Sequence, residues 1–228
     1  MVAIVGGNAF GLSLGSQATL GQRGVFGDAN TGRNGEQAFV NAATGNLVLR
    51  DVDALLFGPG PDVQSIRTYN SLGLSTDDNG DNWSMGVYQQ QLKLTAGSGG
   101  NTAGSVLVRT DHDGAKSTFS YNATLSRYVS TDGGGAYDSI VYDTATSQYI
   151  CTDGDSRAQE RYSLPSGQLL SITDVNGIRL SYTYTGSLLT KVKNDIDGES
   201  TAYIYSGNNL TEINTLDAAG TKVGTRTR

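Results

Sequence analysis

The chain has 228 residues, a net charge of −6 and a pI near 4.7. An acidic chain lacks the basic face that phosphate attraction requires, which argues against a general nucleic-acid or anionic-membrane binder. Glycine accounts for 31 residues against three prolines, and the aromatic residues are twelve tyrosines, five phenylalanines and one tryptophan. This composition favours an all-β fold of short strands and tight turns over a helical bundle.

Two further classes of function lack the residues they need. The chain has one cysteine, Cys151, and one histidine, His112. These numbers exclude an intrachain disulfide and any metal site that needs several cysteines or two histidines. No apolar run approaches the roughly 18 residues of a membrane-spanning helix, and the N-terminus lacks the basic leader of a standard signal peptide.

Residues 1–35 form a glycine-rich N-terminal segment with weak patterning. We expect a flexible arm here, since such a composition buries little apolar surface. The alternative is an irregular plug or cap on the body of the protein. Val2–Val5 and Phe10–Leu14 carry enough apolar residues to dock somewhere.

Residues 36–110 show the sequence pattern of short strands separated by turns. Two apolar runs around Thr44-Gly45-Asn46 predict a hairpin. The sequence Gly58-Pro59-Gly60-Pro61 ends the next strand and predicts a rigid, exposed turn. Residues alternate from Val63 to Thr68 and lead into Tyr69-Asn70-Ser71. Further strands are expected at Trp83–Tyr88, Gln91–Leu94 and Ser105–Arg109, with a loop at 96–104.

Residues 111–228 repeat with a period of about 21. Turn glycines recur every 19 to 23 residues, at Gly114, Gly133, Gly154, Gly177, Gly198 and Gly220. A tyrosine-rich stretch such as Tyr182-Thr-Tyr184 and a Gly-x-x-Leu-x-x-Val stretch such as Gly186–Val192 follow in the same order. About 21 residues accommodate two strands of about seven with a short turn after each. We therefore predict successive β-hairpins that extend one curved antiparallel sheet, with one dry face.

These residues resemble the RHS/YD-repeat proteins over about residues 36–220. The stretch Val40–Gly73, VNAATGNLVLRDVDALLFGPGPDVQSIRTYNSLG, is similar to the segment that opens the RHS region of many secreted bacterial proteins. Tyr142-Asp143 is the one literal Tyr-Asp pair after such a strand, and the related positions hold Tyr121-Asn122, Tyr184-Thr185 and Tyr205-Ser206. The chain has about five units, fewer than a closed shell needs. It matches no part of the family's C-terminal core, so no autoproteolytic residue is carried over.

The resemblance implies a structural function. The chain would be the N-terminal portion of the β-shell of a polymorphic-toxin-like protein, secreted or on the bacterial surface, with no recognisable signal peptide. The shell would encase or present a C-terminal toxin or effector not contained in this chain. Its partners would be the rest of the shell and its cargo, with no nucleic acid and no membrane insertion.

Two alternatives remain open. The first is a secreted carbohydrate-binding or adhesion module, in which exposed tyrosine rows would stack on sugar rings. The second is self-assembly through open sheet edges, whose unpaired N–H and C=O groups recruit other strands. The last hairpin, about Tyr203 to Gly220, is expected to leave such an edge. Buried tyrosines would instead be cross-strand filling, which their regular place in the repeat favours.

No residue is assigned a catalytic, cofactor-binding or metal-ligating role, and no cofactor is expected. Asp77, Asn79 and Asp81 alternate like Ca²⁺ ligands, but Gly80 stands at the wrong position and no glutamate follows at the twelfth. A structural role in turns explains such residues as well.

The remaining candidates have ordinary structural explanations. Glu160 and Glu212 lie in predicted strands, where cross-strand pairing explains them. His112 is expected in a solvated turn, Cys151 as a buried thiol, and Trp83 as a core anchor of the first sheet. The chain is therefore not expected to be an enzyme. The turn glycines Gly133, Gly154, Gly177 and Gly198 should have positive φ or lie in tight turns.

Overall fold

The computed structural model describes residues 3–5, 37–41, 45–71, 82–85, 90–111, 116–130 and 137–227. Most of the predicted N-terminal arm, the Asp77–Asp81 turn, His112, Gly114 and Gly133 lie outside the described residues. The described residues form eighteen strands and no helix, which confirms the all-β prediction. The strands are β1 (Ala3–Val5), β2 (Gln37–Asn41), β3 (Leu47–Leu56), β4 (Val63–Asn70), β5 (Trp83–Met85), β6 (Gln91–Ala96), β7 (Val106–Thr110), β8 (Lys116–Asn122), β9 (Arg127–Ser130), β10 (Ser139–Asp143), β11 (Gln148–Thr152), β12 (Gln159–Ser163), β13 (Leu169–Thr173), β14 (Arg179–Thr185), β15 (Leu188–Asn194), β16 (Ser200–Ser206), β17 (Asn209–Leu216) and β18 (Lys222–Thr227).

The strands form two sheets in which neighbours in space are neighbours along the chain. The first sheet has the order β1-β2-β3-β4-β5, and the second runs without interruption from β6 to β18. The hairpin predicted around Gly45 is the antiparallel pair β2–β3. One pair departs from the antiparallel prediction, because β1 lies parallel to β2, with Ala3 opposite Phe39.

The chain divides into two compact units. The first comprises Met1–Asp53, Ser65–Gln90 and Arg109–Ser117, and the second comprises Ala54–Gln64, Gln91–Val108 and Thr118–Arg228. The predicted division at residues 35 and 110 stays a prediction.

The second sheet is a series of hairpins of the predicted length. The pairs β8–β9, β10–β11 and β12–β13 are joined by turns at 123–126, 144–147 and 164–167. The pairs β14–β15 and β16–β17 are joined by two residues each, starting at Gly186 and Gly207. Both glycines have φ near +60°, a conformation that glycine adopts at little cost at the first position of such turns.

The glycine prediction is confirmed where it falls on described residues. Gly177 and Gly198 both have φ of +82°, and Gly154 lies in a turn. A register shift also recurs about once per unit, at Arg161/Tyr162, Thr183/Tyr184 and Ile204/Tyr205. Such bulges add local twist to a strand pair, so their repetition curves the sheet.

The core of the second sheet takes one fully buried large side chain from each of β6 to β13. The set is Leu92, Leu107, Phe119, Tyr128, Ile140, Tyr149, Tyr162 and Leu169. The register places Tyr149 opposite Tyr162, and Tyr162 opposite Leu169, on one face. This is the predicted dry face.

The sheet curves so far that its edge strand β6 returns to the β12–β13 hairpin. Leu92 N donates to Gly167 O over 3.0 Å, and Gln91 forms a bridge with Gln168. Eight strands enclose a space that side chains just fill, which agrees with the ring of buried residues.

The prediction that β17 forms an open edge of the sheet is wrong. A further strand, β18, pairs with β17, with Ile213 opposite Arg226. The turn Asp217–Gly220 reverses the chain, because Gly220 has φ of +82°, and Lys222 of β18 contacts Glu212 of β17. The outer edge among the described residues is therefore that of β18.

Candidate functional site: the turn row and its clip

The turns that follow β13 and β15 form a row along one border of the second unit. We call residues 174–178 and 194–199 the turn row. Asp174 Oδ1 accepts hydrogen bonds from the backbone N–H of Asn176 and Ile178, at 2.9 and 2.8 Å. Asn194 Oδ1 accepts from Ile196 N over 3.0 Å. Short polar side chains thus satisfy the backbone of each turn, as such residues commonly do.

The same role recurs in other acidic turns of the repeats. Asp217 Oδ1 accepts from Thr221 N over 2.7 Å, and Asp153 Oδ1 accepts from the N–H of Asp155 and Ser156. These contacts favour the structural interpretation of the acidic turns that are described. Among the described residues, no group of three or more His, Cys, Asp or Glu could hold a metal ion.

The glycine-proline turn Gly58–Pro61, which we call the clip, packs against the turn row. Asn194 Nδ2 donates to Pro59 O over 3.0 Å. A Cβ atom at Gly60 would lie 2.5 Å from Ile178 Cγ2, and one at Gly58 would lie 2.8 Å from Asn194 Nδ2. Gly60, which also has φ of +79°, therefore needs glycine, whereas a side chain at Gly58 would have to displace the Asn194 amide. The sequence predicts a rigid exposed turn but contains no indication of its partner, 135 residues away.

Three large apolar side chains remain exposed around this contact. Phe57 is 72% exposed, Val175 70% and Ile196 63%. The half-buried acidic residues Asp62, Asp174, Asp197 and Glu199 belong to the clip and turn row or adjoin them. Clip and turn row thus combine apolar tips with negative charge.

The residue after the tyrosine in the first three hairpins lies in contact with the following turn. Asn122 Oδ1 accepts from Leu125 N over 3.0 Å. Asp143 accepts from Ala145 N over 3.0 Å and from Thr146 Oγ1 over 2.7 Å. The hydrogen bond from Thr146, together with that from Ala145, lowers the pKa of the Asp143 carboxyl. Ser163 Oγ contacts Ser166 Oγ over 2.5 Å in the third turn.

Five of the ten tyrosines of the repeats are buried and four are half-buried, and several of their rings contact one another. Ring centroids lie 5.1 Å apart for Tyr121 and Tyr128, 5.9 Å for Tyr128 and Tyr149, and 4.8 Å for Tyr149 and Tyr142. Tyr128 OH donates to Gly100 O, and Gly100 N donates to Tyr149 OH, both over 2.5 Å. The loop predicted at 96–104 is thereby tied to the core. Burial raises the pKa of Tyr128 and that of Tyr182.

The first unit holds the motif residues of the opening segment together. Ser71 Oγ donates to Asn46 Oδ1 over 2.9 Å and accepts from Leu47 N over 2.8 Å. Ser71 N donates to Leu47 O over 2.9 Å. Asn46 and Leu47 of the first motif therefore meet Ser71 of the second where β3 begins and β4 ends, which gives the spacing of the motifs a structural reason.

A charged cluster lies beside this junction. Arg67 Nη2 lies 2.7 Å from Asp51 Oδ2 and 3.3 Å from Asp53 Oδ1. Its guanidinium carbon is 5.0 Å from the centroid of the Trp83 ring, within the range of a cation–π contact. Trp83 is half-buried and also contacts Tyr69, so it supports Arg67 rather than anchoring a core.

The other candidates have ordinary structural contacts. Cys151 is buried, as expected. Glu212 contacts Lys222 on the neighbouring strand, and this hydrogen bond lowers the pKa of Glu212. Glu160 accepts from Tyr162 OH over 2.7 Å, a contact within its own strand. In the described part of the chain, no helix is long and apolar enough to cross a membrane.

A family model matches part of the chain. Residues 37–119 match the family model described as a domain of unknown function, DUF6531. This range covers about a third of the chain and contains the junction of β3 and β4, the Arg67 cluster and the clip. No curated protein matches the chain.

Proposed function

We propose that this chain is a structural segment of an RHS/YD-repeat protein, in which a β-sheet scaffold encases or presents a C-terminal toxin or effector. The protein would be bacterial and secreted or on the cell surface, and the chain would not be an enzyme. The observation that carries the proposal is the second sheet, in which thirteen strands follow chain order as repeated hairpins. Stacking of similar units, each in contact with its neighbours, is how repeat proteins build extended scaffolds.

The repeat chemistry supports the same proposal. Each of the first three hairpins combines a tyrosine, a short polar residue in contact with the turn and a left-handed residue, which is Ser126, Ser147 or Gly167. The Tyr-Asp pair of the family is one form of this arrangement. The filled core of β6–β13 favours presentation over encasement for this part, because side chains occupy the enclosed space.

The burial of the tyrosines favours a scaffold over a carbohydrate-binding module. Tyr128, Tyr149 and Tyr162 have no exposed surface, so their rings are not available to stack on sugars. A glycan array tests this alternative with the wild-type chain and Tyr137→Ala, since Tyr137 is 83% exposed. Specific glycan binding that this substitution abolishes would favour the module and overturn the scaffold.

The reading frame beyond Arg228 tests the scaffold directly. We expect further units of about 21 residues, followed by a domain of different composition. In the complete product, that domain should sit outside the ring of β6–β13 and be accessible to a specific antibody. A reading frame without further repeats would overturn the proposal.

A further inference from the structure

Phe57, which precedes the clip, and Val175 and Ile196 of the turn row are exposed apolar side chains on neighbouring turns, and we call them the three tips. Val175 and Ile196 each stand two residues before a turn glycine and are exposed to solvent. Gly58, which follows Phe57, packs on Asn194 and Asp197, and Gly60 packs on Ile178. Phe57 therefore lies beside the turns that carry Val175 and Ile196. Turn tips ordinarily carry polar residues, so apolar side chains at successive tips need an explanation other than folding.

The charge around these tips is mostly negative. Asp62, Asp174, Asp197 and Glu199 surround them, and the clip and turn row contain no lysine or arginine. The nearest cation in sequence after the first turn, Arg179, has its Nε 3.7 Å from Asp195 Oδ2, so it offsets one further carboxylate. Lys193 flanks the second turn. The surface remains negative after both cations are counted.

We propose that the clip and turn row dock a cationic, apolar segment of another protein. Burial of the three tips would supply the affinity, at about 25 cal/mol per Å² of apolar area removed from water. The carboxylates would select positive charge and fix the orientation of the partner. A second copy of this chain or an anionic lipid surface would bring negative charge against negative charge, which disfavours both.

Binding of a defined peptide tests the proposal. The probe is a fluorescent peptide of alternating lysine and leucine, and its control is the same peptide with serine in place of leucine. We expect the lysine-leucine peptide to bind the intact chain and the double variant Val175→Ser/Ile196→Ser to bind at least about tenfold more weakly, since two of the three apolar anchors are lost. Val223→Ser, which removes an equally exposed side chain on β18, should bind like the wild type. Exposed tips contribute little to folding, so all three proteins should melt at similar temperatures.

The charge component has its own test. Asp197→Asn keeps the oxygen that accepts from Glu199 N but removes one charge, and it should weaken binding and flatten its salt dependence. Equal losses in the double variant and in Val223→Ser would overturn the proposal, as would equal binding of the lysine-serine peptide. Stronger binding to anionic vesicles than to the peptide, or self-association lost in the double variant, would also overturn it.

Discussion

Asp143 shows how the residue after the tyrosine serves the turn in each of the first three hairpins of the repeats. Its carboxylate accepts hydrogen bonds from Ala145 and Thr146, and Asn122 and Ser163 stand at the equivalent positions of the neighbouring units. Aspartate, asparagine and serine share a short side chain with an oxygen that accepts from a nearby N–H or O–H. The variation in the Tyr-Asp pattern is therefore conservative in chemistry.

We expect Asp143→Ala to lower the melting temperature, since the turn N–H groups lose their acceptor. Asp143→Asn should lose less than Asp143→Ala near pH 7, because its amide oxygen can still accept from Ala145 N, whereas the charge and the second oxygen that accepts from Thr146 Oγ1 are lost. The lowered pKa of Asp143 means that its charge contributes above its ordinary pKa of about 4. That contribution is lost as the pH falls through the folded value. Equal losses in both variants would contradict the capping role.

The buried tyrosines predict a specific response to alkaline pH. Burial raises the pKa of Tyr128 and of Tyr182 above the ordinary value of about 10. A raised folded pKa gives stability that is fully present below the unfolded pKa and is lost as the pH rises beyond it. The free energy of unfolding should therefore be flat to about pH 9 and fall above about pH 10.

Denaturant melts across this range, followed by tyrosinate absorbance, provide the measurement. Tyr128→Phe should make the alkaline loss shallower and serves as the matched variant. A loss that is unchanged in this variant, and in Tyr182→Phe, would contradict the assignment.

At the scale of the element, Gly167 joins a turn to a distant edge strand. It has φ of +73°, and a Cβ atom there would lie 2.4 Å from Leu92 O on β6. Gly186 has a similar φ of +60°, but a Cβ atom added to it would have no neighbour within 4 Å. Alanine at Gly186 would suffer backbone strain alone, whereas alanine at Gly167 would suffer backbone strain and a steric clash.

Alanine at these two sites should give different losses of unfolding free energy. Gly186→Ala is expected to cost about 1–2 kcal/mol, the penalty of a left-handed L-residue. Gly167→Ala should cost about 1–3 kcal/mol more, because the added carbon must displace the β6 backbone. Paired urea melts measure the difference. Equal costs would mean that β6 does not rest on the β12–β13 turn.

The elements near in sequence could be predicted, and the contacts between distant ones could not. The period of the glycines and the alternation in Leu180–Tyr184 predicted hairpins and their buried face, since both depend on local geometry. No sequence pattern near the clip indicates that it packs against Ile178 and Asn194. The strand β18 was missed because Lys222–Thr227 has little apolar alternation, and β1 because three residues carry no period.

At the scale of the second unit, protection from solvent should fall from the ring of β6–β13 toward β18. Central strands have partners on both sides and core contacts, whereas β18 pairs only with β17 among the strands described. Repeat sheets open from their ends, since each unit depends on its neighbours. Native-state amide exchange should therefore be slowest around Ile140–Ile150 and fastest in Lys222–Thr227.

Equal protection of these two segments would mean that another strand covers β18. Sedimentation at several concentrations would then separate self-association from cover within the chain. A concentration-dependent shift would favour assembly through the sheet edge.

Two contacts between distant parts of the chain limit where a repeat unit can be added or removed. The contact between β6 and Gly167 can form only with the present number of strands between them. One additional unit would widen the sheet by about 10 Å and separate the two. The clip fixes the two turns that carry Ile178 and Asn194 in the same way. Duplication or loss of a 21-residue unit should therefore be tolerated only after Asp197. Natural variation in repeat number among related genes is expected to fall on that side alone.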